Sequence, residues 1–143
     1  MSFIPEEEYA RILEVLPILC VDIAVRNSKG EYLLVKRGNE PLKGEWWVPG
    51  GRVLKGETLE QAAIRKVEEE VGIKVDSVKP MGYYEDTAHT NRFASRVPLH
   101  SVSVVFLAVV DDFDGIKLDS QSLDWKRAKE MPEDFLIKRF MKM

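Results

Sequence analysis

The sequence predicts an α/β sandwich built on a mixed β-sheet, and three observations predict it. Two apolar, β-branched runs, "PILCVDIAVRN" and "EYLLVKRG", flank the turn-forming "NSKG" and read as an antiparallel hairpin. "TLEQAAIRKVEEEVG" repeats apolar residues every four positions, as a half-buried helix does. "HSVSVVFLAVVDD", after that helix, is the longest strand-like run and reads as a central strand. Strands before and after one helix bury its apolar side against a sheet.

The remaining elements follow in order. Pro5 and the three glutamates after it start a short helix, since proline suits the first helical position and acids suit the positive end of the helix dipole. "LKGEWWVPGGRV" reads as a loop punctuated by Gly44, Pro49, Gly50 and Gly51. "KVDSVKPMGYYED" reads as a strand made irregular by Pro80, and "EDTAHTNRF" as a polar loop. "PEDFLIKRFMKM" reads as a closing helix with Pro132 at its start. In the central helix Thr58 and Gln61 have the spacing of a capping box, and Gly72 stands where a left-handed residue ends a helix. The helix therefore spans Leu59 to Val71, with Leu59, Ala63, Val67 and Val71 as its buried stripe.

At 143 residues the chain is expected to be one domain, residues 1–143, with 45% apolar and 31% charged residues. The net charge of −3 argues against a nucleic-acid surface. No basic, apolar leader opens the chain, and no apolar run approaches the roughly 20 residues that cross a bilayer. A cytoplasmic protein without membrane contact is expected. Cys20, alone, excludes an internal disulfide and reads as a small core residue in a reducing compartment.

The charges on the helix raise the functional question. Arg65 and Glu69 are four apart and share a face; Lys66 and Glu70 share the neighbouring one. Such a row reads either as a solvated surface or as a cation site, because the adjacent Glu69 and Glu70 repel each other. Magnesium suits few carboxylates, with waters and substrate phosphates completing its shell.

Gly51, Glu57, Arg65, Val67, Glu69, Glu70, Gly72 and Ile73 stand at spacings that resemble the Nudix box, found in hydrolases of a nucleoside diphosphate linked to another group. The resemblance implies that family's α/β/α sandwich and a divalent cation, Mg2+ or Mn2+, held by the box helix. Where the family pattern has Arg-Glu, this chain has Arg65-Lys66. A protonated lysine cannot bind a cation, and an ordinary pKa of about 10.4 makes it a poor base at neutral pH. Lys66 is expected to pair with Glu70, either as an idle surface lysine or to neutralise part of the acidic cluster.

From Leu16 to Arg65 the chain is similar to GDP-mannose mannosyl hydrolases, which also lack an acid at that position and cleave at the sugar carbon. Carried over, the resemblance implies that Arg37 and Arg52 bind the diphosphate and that Arg65 orients the helix carboxylates. It implies that the Gly50 carbonyl, Glu70 and Gln121 hold the metal, with Glu69 a ligand in the pyrophosphohydrolase pattern. Asp22 and His100 are expected to contact substrate. The histidine that serves those enzymes as base is replaced by Ser122 and a tyrosine by Ser101, so the remaining histidines, His89 and His100, come into question, His89 as a candidate base or substrate contact. The substrate is then a small nucleotide, and a homodimer through the N-terminal helix is expected by analogy. Three readings stay open: a nucleotide-sugar hydrolase acting at the sugar carbon, a pyrophosphohydrolase with Glu69, Glu85 or Asp86 as base, and a catalytically silent nucleotide-binding module.

Overall fold

The computed structural model describes residues 4–38, 44–90, 98–120 and 122–131, and the closing helix expected after Pro132 lies outside them. Among the described residues are α1 (Glu6–Val15), β1 (Ile18–Arg26), β2 (Tyr32–Arg37), β3 (Trp46–Trp47), β4 (Gly50–Arg52), α2 (Leu59–Val71), β5 (Lys79–Thr90), β6 (Pro98–Val109) and β7 (Ser122–Ala128). The seven strands form one mixed sheet in the order β3-β2-β1-β6-β5, with β4 on β1 and β7 on β2.

The hairpin reading holds: β1 and β2 pair antiparallel at Arg26 and Tyr32. β6 is an interior strand, as expected, and runs parallel to β1 from Ile18 opposite Ser101 to Arg26 opposite Val109. Two expectations are corrected, and a segment not assigned from the sequence is a strand. The segment read as a loop around "EWWVPGGRV" contributes β3 and β4, the latter pairing Cys20–Asp22 with Arg52–Gly50. The polar "EDTAH" continues β5 along β6, with register shifts, and is not a loop. The segment around "SLDW" is β7, antiparallel to β2. Cys20 is only half-buried on β1, short of the core position expected.

Helix α2 forms where its local signals place it. The Thr58 hydroxyl accepts from the Gln61 N–H, the Gln61 side chain accepts from the Thr58 N–H, and Gly72 ends the helix at φ 73°. Ala63, Val67 and Val71 are fully buried against Val21, Ile23, Val25, Leu33 and Phe106. Each such valine contributes about 1.5–3 kcal/mol when withdrawn from water. Strand side chains alternate between faces. Ala24, Leu34 and Val105 therefore pack on the sheet's other face, with Tyr32, Val48, Tyr84 and Met131. Asp22, between Val21 and Ile23, falls on that face, away from α2.

Candidate active site

The site is built where β4 crosses the C-terminal half of α2. Ala62, Lys66 and Glu70, one helical turn apart, form a second buried row beside the valine stripe. A row holding two charges is buried because β4 presents glycine there. A Cβ on Gly51 would lie 2.8 Å from Lys66 Cε and 3.2 Å from its Nζ, so the lysine stem runs directly beneath that backbone. Lys66 is 5% exposed, which corrects its reading as a surface residue, while its expected partner is found: Nζ lies 3.3 Å from Glu70 Oε1. The Gly50 N–H donates to Glu70 Oε2 at 3.3 Å. Gly50 is squeezed from the other face as well, where a Cβ would collide with the Val21 carbonyl and the Asp22 carboxylate. Glu70 and Asp22 thus lie on either side of a single glycine.

Behind Gly50, the Tyr84 hydroxyl donates to Asp22 Oδ2. Burial, the Asp22 charge and this hydrogen bond push the Tyr84 phenol far above its ordinary value, so it stays a donor throughout the working pH range. Sequence reasoning missed Tyr84. Its signal was period-2 alternation in β5, which turns residue 84 inward between exposed Tyr83 and Glu85.

Arg65 takes the other flank of the helix. Its Nε and Nη2 reach both Glu57 oxygens at 2.7 and 2.9 Å, Nη1 reaches Glu69 Oε2 at 2.5 Å, and Nη2 also donates to the Arg52 carbonyl at 3.0 Å. One guanidinium therefore joins the loop before α2, the helix itself and β4. The hydrogen bonds from Arg65 hold the Glu57 carboxyl below its ordinary value. Arg65 pairs with Glu69, whereas the contacts of Glu70 are with Lys66 and the Gly50 N–H. An open groove along Gln61, Ile64, Arg65, Glu68 and Glu69 marks the flank where Glu69 lies.

The other expected residues are spread more widely. Arg52 ends β4 with its guanidinium carbon 4.9 Å from the centre of the Tyr9 ring. Arg37 ends β2 opposite Ser122, at a register shift. His100 is half-buried on β6. His89 belongs to β5 opposite Leu99, its side chain outside the described atoms, and Gln121 lies outside the described residues.

Glu70 is the test of a cation. Withdrawal from water pushes its carboxyl up from 4.5 to about 7; Lys66 opposes this, and the Asp119 charge adds to it. One ammonium does not compensate the buried negative charge, so a further cation would stabilise the ionised form. Among the described residues no three His, Cys, Asp or Glu side chains converge. Glu69, Glu70 and the Gly50 carbonyl are oxygen donors of the kind that Mg2+ takes alongside water and phosphate.

Comparison with known proteins places the chain in a family. The NUDIX domain pattern matches residues 16–138. The low-salt glycan biosynthesis protein Agl8 of Haloferax volcanii is 36% identical over 118 residues, covering 82% of this chain and 74% of that protein. The ADP-ribose pyrophosphatase of Methanocaldococcus jannaschii is 37% identical over 93 residues, covering 64% of this chain and half of that one. Among solved structures, a MutT NUDIX hydrolase from Burkholderia pseudomallei superposes with a TM-score of 0.70 at 24% identity, over 88% of this chain and 95% of that one. The chain belongs to the NUDIX domain family and is a Nudix hydrolase.

Proposed function

We propose that the protein hydrolyses a nucleoside diphosphate sugar, with water attacking the sugar carbon and the nucleoside diphosphate leaving, as in GDP-mannose mannosyl hydrolases. The observation that carries this reading is Lys66. A buried ammonium stands at the helix position from which the family's glutamate would bind a cation or activate water, so attack at phosphorus loses its nearest base. The similarity to Agl8, a protein named for glycan biosynthesis, supports a sugar-linked substrate.

Arg52 and Arg37 bind the diphosphate. A guanidinium offers paired hydrogen bonds to phosphate oxygens and stays charged as negative charge grows on the leaving group. Glu70 and the Gly50 carbonyl, with Glu69 and Gln121, hold Mg2+ or Mn2+. That ion supplies Lewis-acid stabilisation of the departing diphosphate. Arg65 fixes Glu57, Glu69 and β4 relative to one another. Asp22, held by Tyr84 on the far side of Gly50, positions sugar hydroxyls. His89 accepts the proton of the attacking water and His100 contacts substrate; the Ser122 hydroxyl is too weak a base.

Hydrolysis of GDP-mannose in oxygen-18 water tests the proposal. Label is expected in the released sugar. Label in phosphate would replace this reading with the pyrophosphohydrolase one, which the likeness to an ADP-ribose pyrophosphatase favours and for which Glu69 on α2, or Glu85 or Asp86 on β5, would be the base. Binding without turnover would leave a nucleotide-binding module.

A further inference from the structure

The environment of Lys66 bears on how the cation is acquired, an inference that rests on the metal reading above. Both oxygens of Glu70 already have partners, the Lys66 ammonium at 3.3 Å on Oε1 and the Gly50 N–H at 3.3 Å on Oε2. The ammonium sits in a confined place: its stem is roofed by the Gly51 backbone, and the residue is 5% exposed. A bare divalent ion approaching Glu70 therefore meets a positive charge a few ångströms away, in surroundings that screen it poorly. A nucleoside diphosphate reverses the balance. Its two to three negative charges offset the two positive charges of the ion, so the ion's repulsion by the ammonium is relieved when anion and cation bind together.

We propose that Lys66 is a built-in competitor cation, which keeps the free protein from loading a divalent ion and makes ion and nucleoside diphosphate bind synergistically. Reciprocity requires that each ligand raise the other's affinity by the same factor.

The test is direct Mn2+ titration of the full chain, without nucleotide and with saturating GDP, after subtracting the Mn2+ that GDP binds by itself. Wild-type protein is expected to bind Mn2+ at least tenfold more tightly with GDP than without it, and GDP correspondingly more tightly with Mn2+. Lys66→Met and Lys66→Gln are expected to bind Mn2+ at least tenfold more tightly than wild type in the absence of GDP and to lose most of the coupling. Equal Mn2+ affinity of the wild type with and without GDP would overturn the proposal without recourse to any variant. Unchanged nucleotide-free affinity in folded Lys66 variants would overturn it equally. In Glu70→Gln the GDP-linked Mn2+ is expected to be lost. Its retention would remove the ion from Glu70, a failure of the underlying metal reading that is distinct from a failure of the coupling.

Discussion

The guanidinium of Arg52 lies over the ring of Tyr9, 4.9 Å from its centroid, so the first helix of the chain braces the strand that carries the proposed phosphate-binding arginine. Tyr9 is 5% exposed and belongs to a helix that buries little else besides Leu13. The cation–π contact itself is worth about 1 kcal/mol, while removing a buried aromatic ring costs about 3 kcal/mol. Tyr9→Ala is therefore expected to lower stability by about 3 kcal/mol in urea denaturation and to raise KM for the nucleotide several-fold, with a smaller effect on kcat. Tyr9→Phe keeps the ring and should preserve KM. If both variants kept wild-type KM, Arg52 would not depend on this helix.

Two neighbouring glycines make different demands, and substitution separates them. A Cβ on Gly50 would meet backbone, the Val21 carbonyl, together with the Asp22 side chain; the nearest atoms to a Cβ on Gly51 belong to the end of the Lys66 side chain. Backbone yields less readily than a lysine stem. Gly50→Ala is expected to cost about 1–3 kcal/mol through overpacking. Gly51→Ala should cost less in stability but push the ammonium away from Glu70 and weaken catalysis. Denaturant melts and kcat/KM measured on the pair check the contrast. Equal stability losses would contradict it.

These contacts show what was legible in the sequence. Helix α2 was read to its ends because its capping box, apolar repeat and terminal glycine all lie within the helix or one residue of it. The hairpin and the interior strand β6 were equally local, each an apolar run beside turn residues. β3 and β4, at two and three residues, are too short to show any period, and β7 is polar, with Leu123, Asp124, Lys126 and Arg127 exposed, as are Glu85 and Thr87 of β5. The pairing of Lys66 with Glu70 is legible from their spacing, but its burial is not, for a different reason. Charged residues are rarely buried, and the space that admits this one comes from a missing side chain fifteen positions earlier. The Tyr84–Asp22 pair spans 62 residues of sequence, and only the sheet brings it together.

That pair carries the third prediction. Tyr84→Phe removes the hydroxyl donor while filling the same space, so Asp22, 7% exposed, loses a hydrogen bond to its charged form. Taking one partner from a buried polar pair costs about 1–3 kcal/mol. The variant is expected to fold with a loss of that size, and the Asp22 carboxyl should titrate at higher pH, as NMR of its carboxyl carbon would report. An unmoved Asp22 titration would show that Tyr84 does not stabilise the carboxylate.

Arg65 is the fourth. It makes four hydrogen bonds to three segments, and lysine can reproduce neither the fork on Glu57 nor the simultaneous reach to the Arg52 carbonyl. Arg65→Lys is expected to lower kcat/KM at least tenfold and stability by about 1–3 kcal/mol, since charge-assisted bonds of this kind contribute about that much each and lysine retains some of them. Wild-type kinetics in Arg65→Lys would reduce Arg65 to an ordinary surface cation.

Glu70 makes stability depend on pH in a direction unusual for a carboxylate. Its folded value, about 7, lies above the ordinary 4.5 because burial penalises the charged form more than Lys66 supports it. Between these two values the folded chain keeps a proton that the unfolded chain has lost. The resulting contribution is fully present below pH 4.5 and is lost as pH rises through about 7. Glu57 acts in the opposite sense and elsewhere: held below its ordinary value by Arg65, it favours folding above pH 4.5 and loses that effect only in acid. In the presence of a chelator, wild-type protein is therefore expected to lose stability on the order of 1–3 kcal/mol between pH 5 and pH 8 through Glu70, while Glu70→Gln, which cannot ionise, shows a flatter profile across the same interval. Urea denaturation of both proteins at half-unit pH steps measures the difference. Parallel profiles would mean that Glu70 ionises in the folded chain as readily as it does in water.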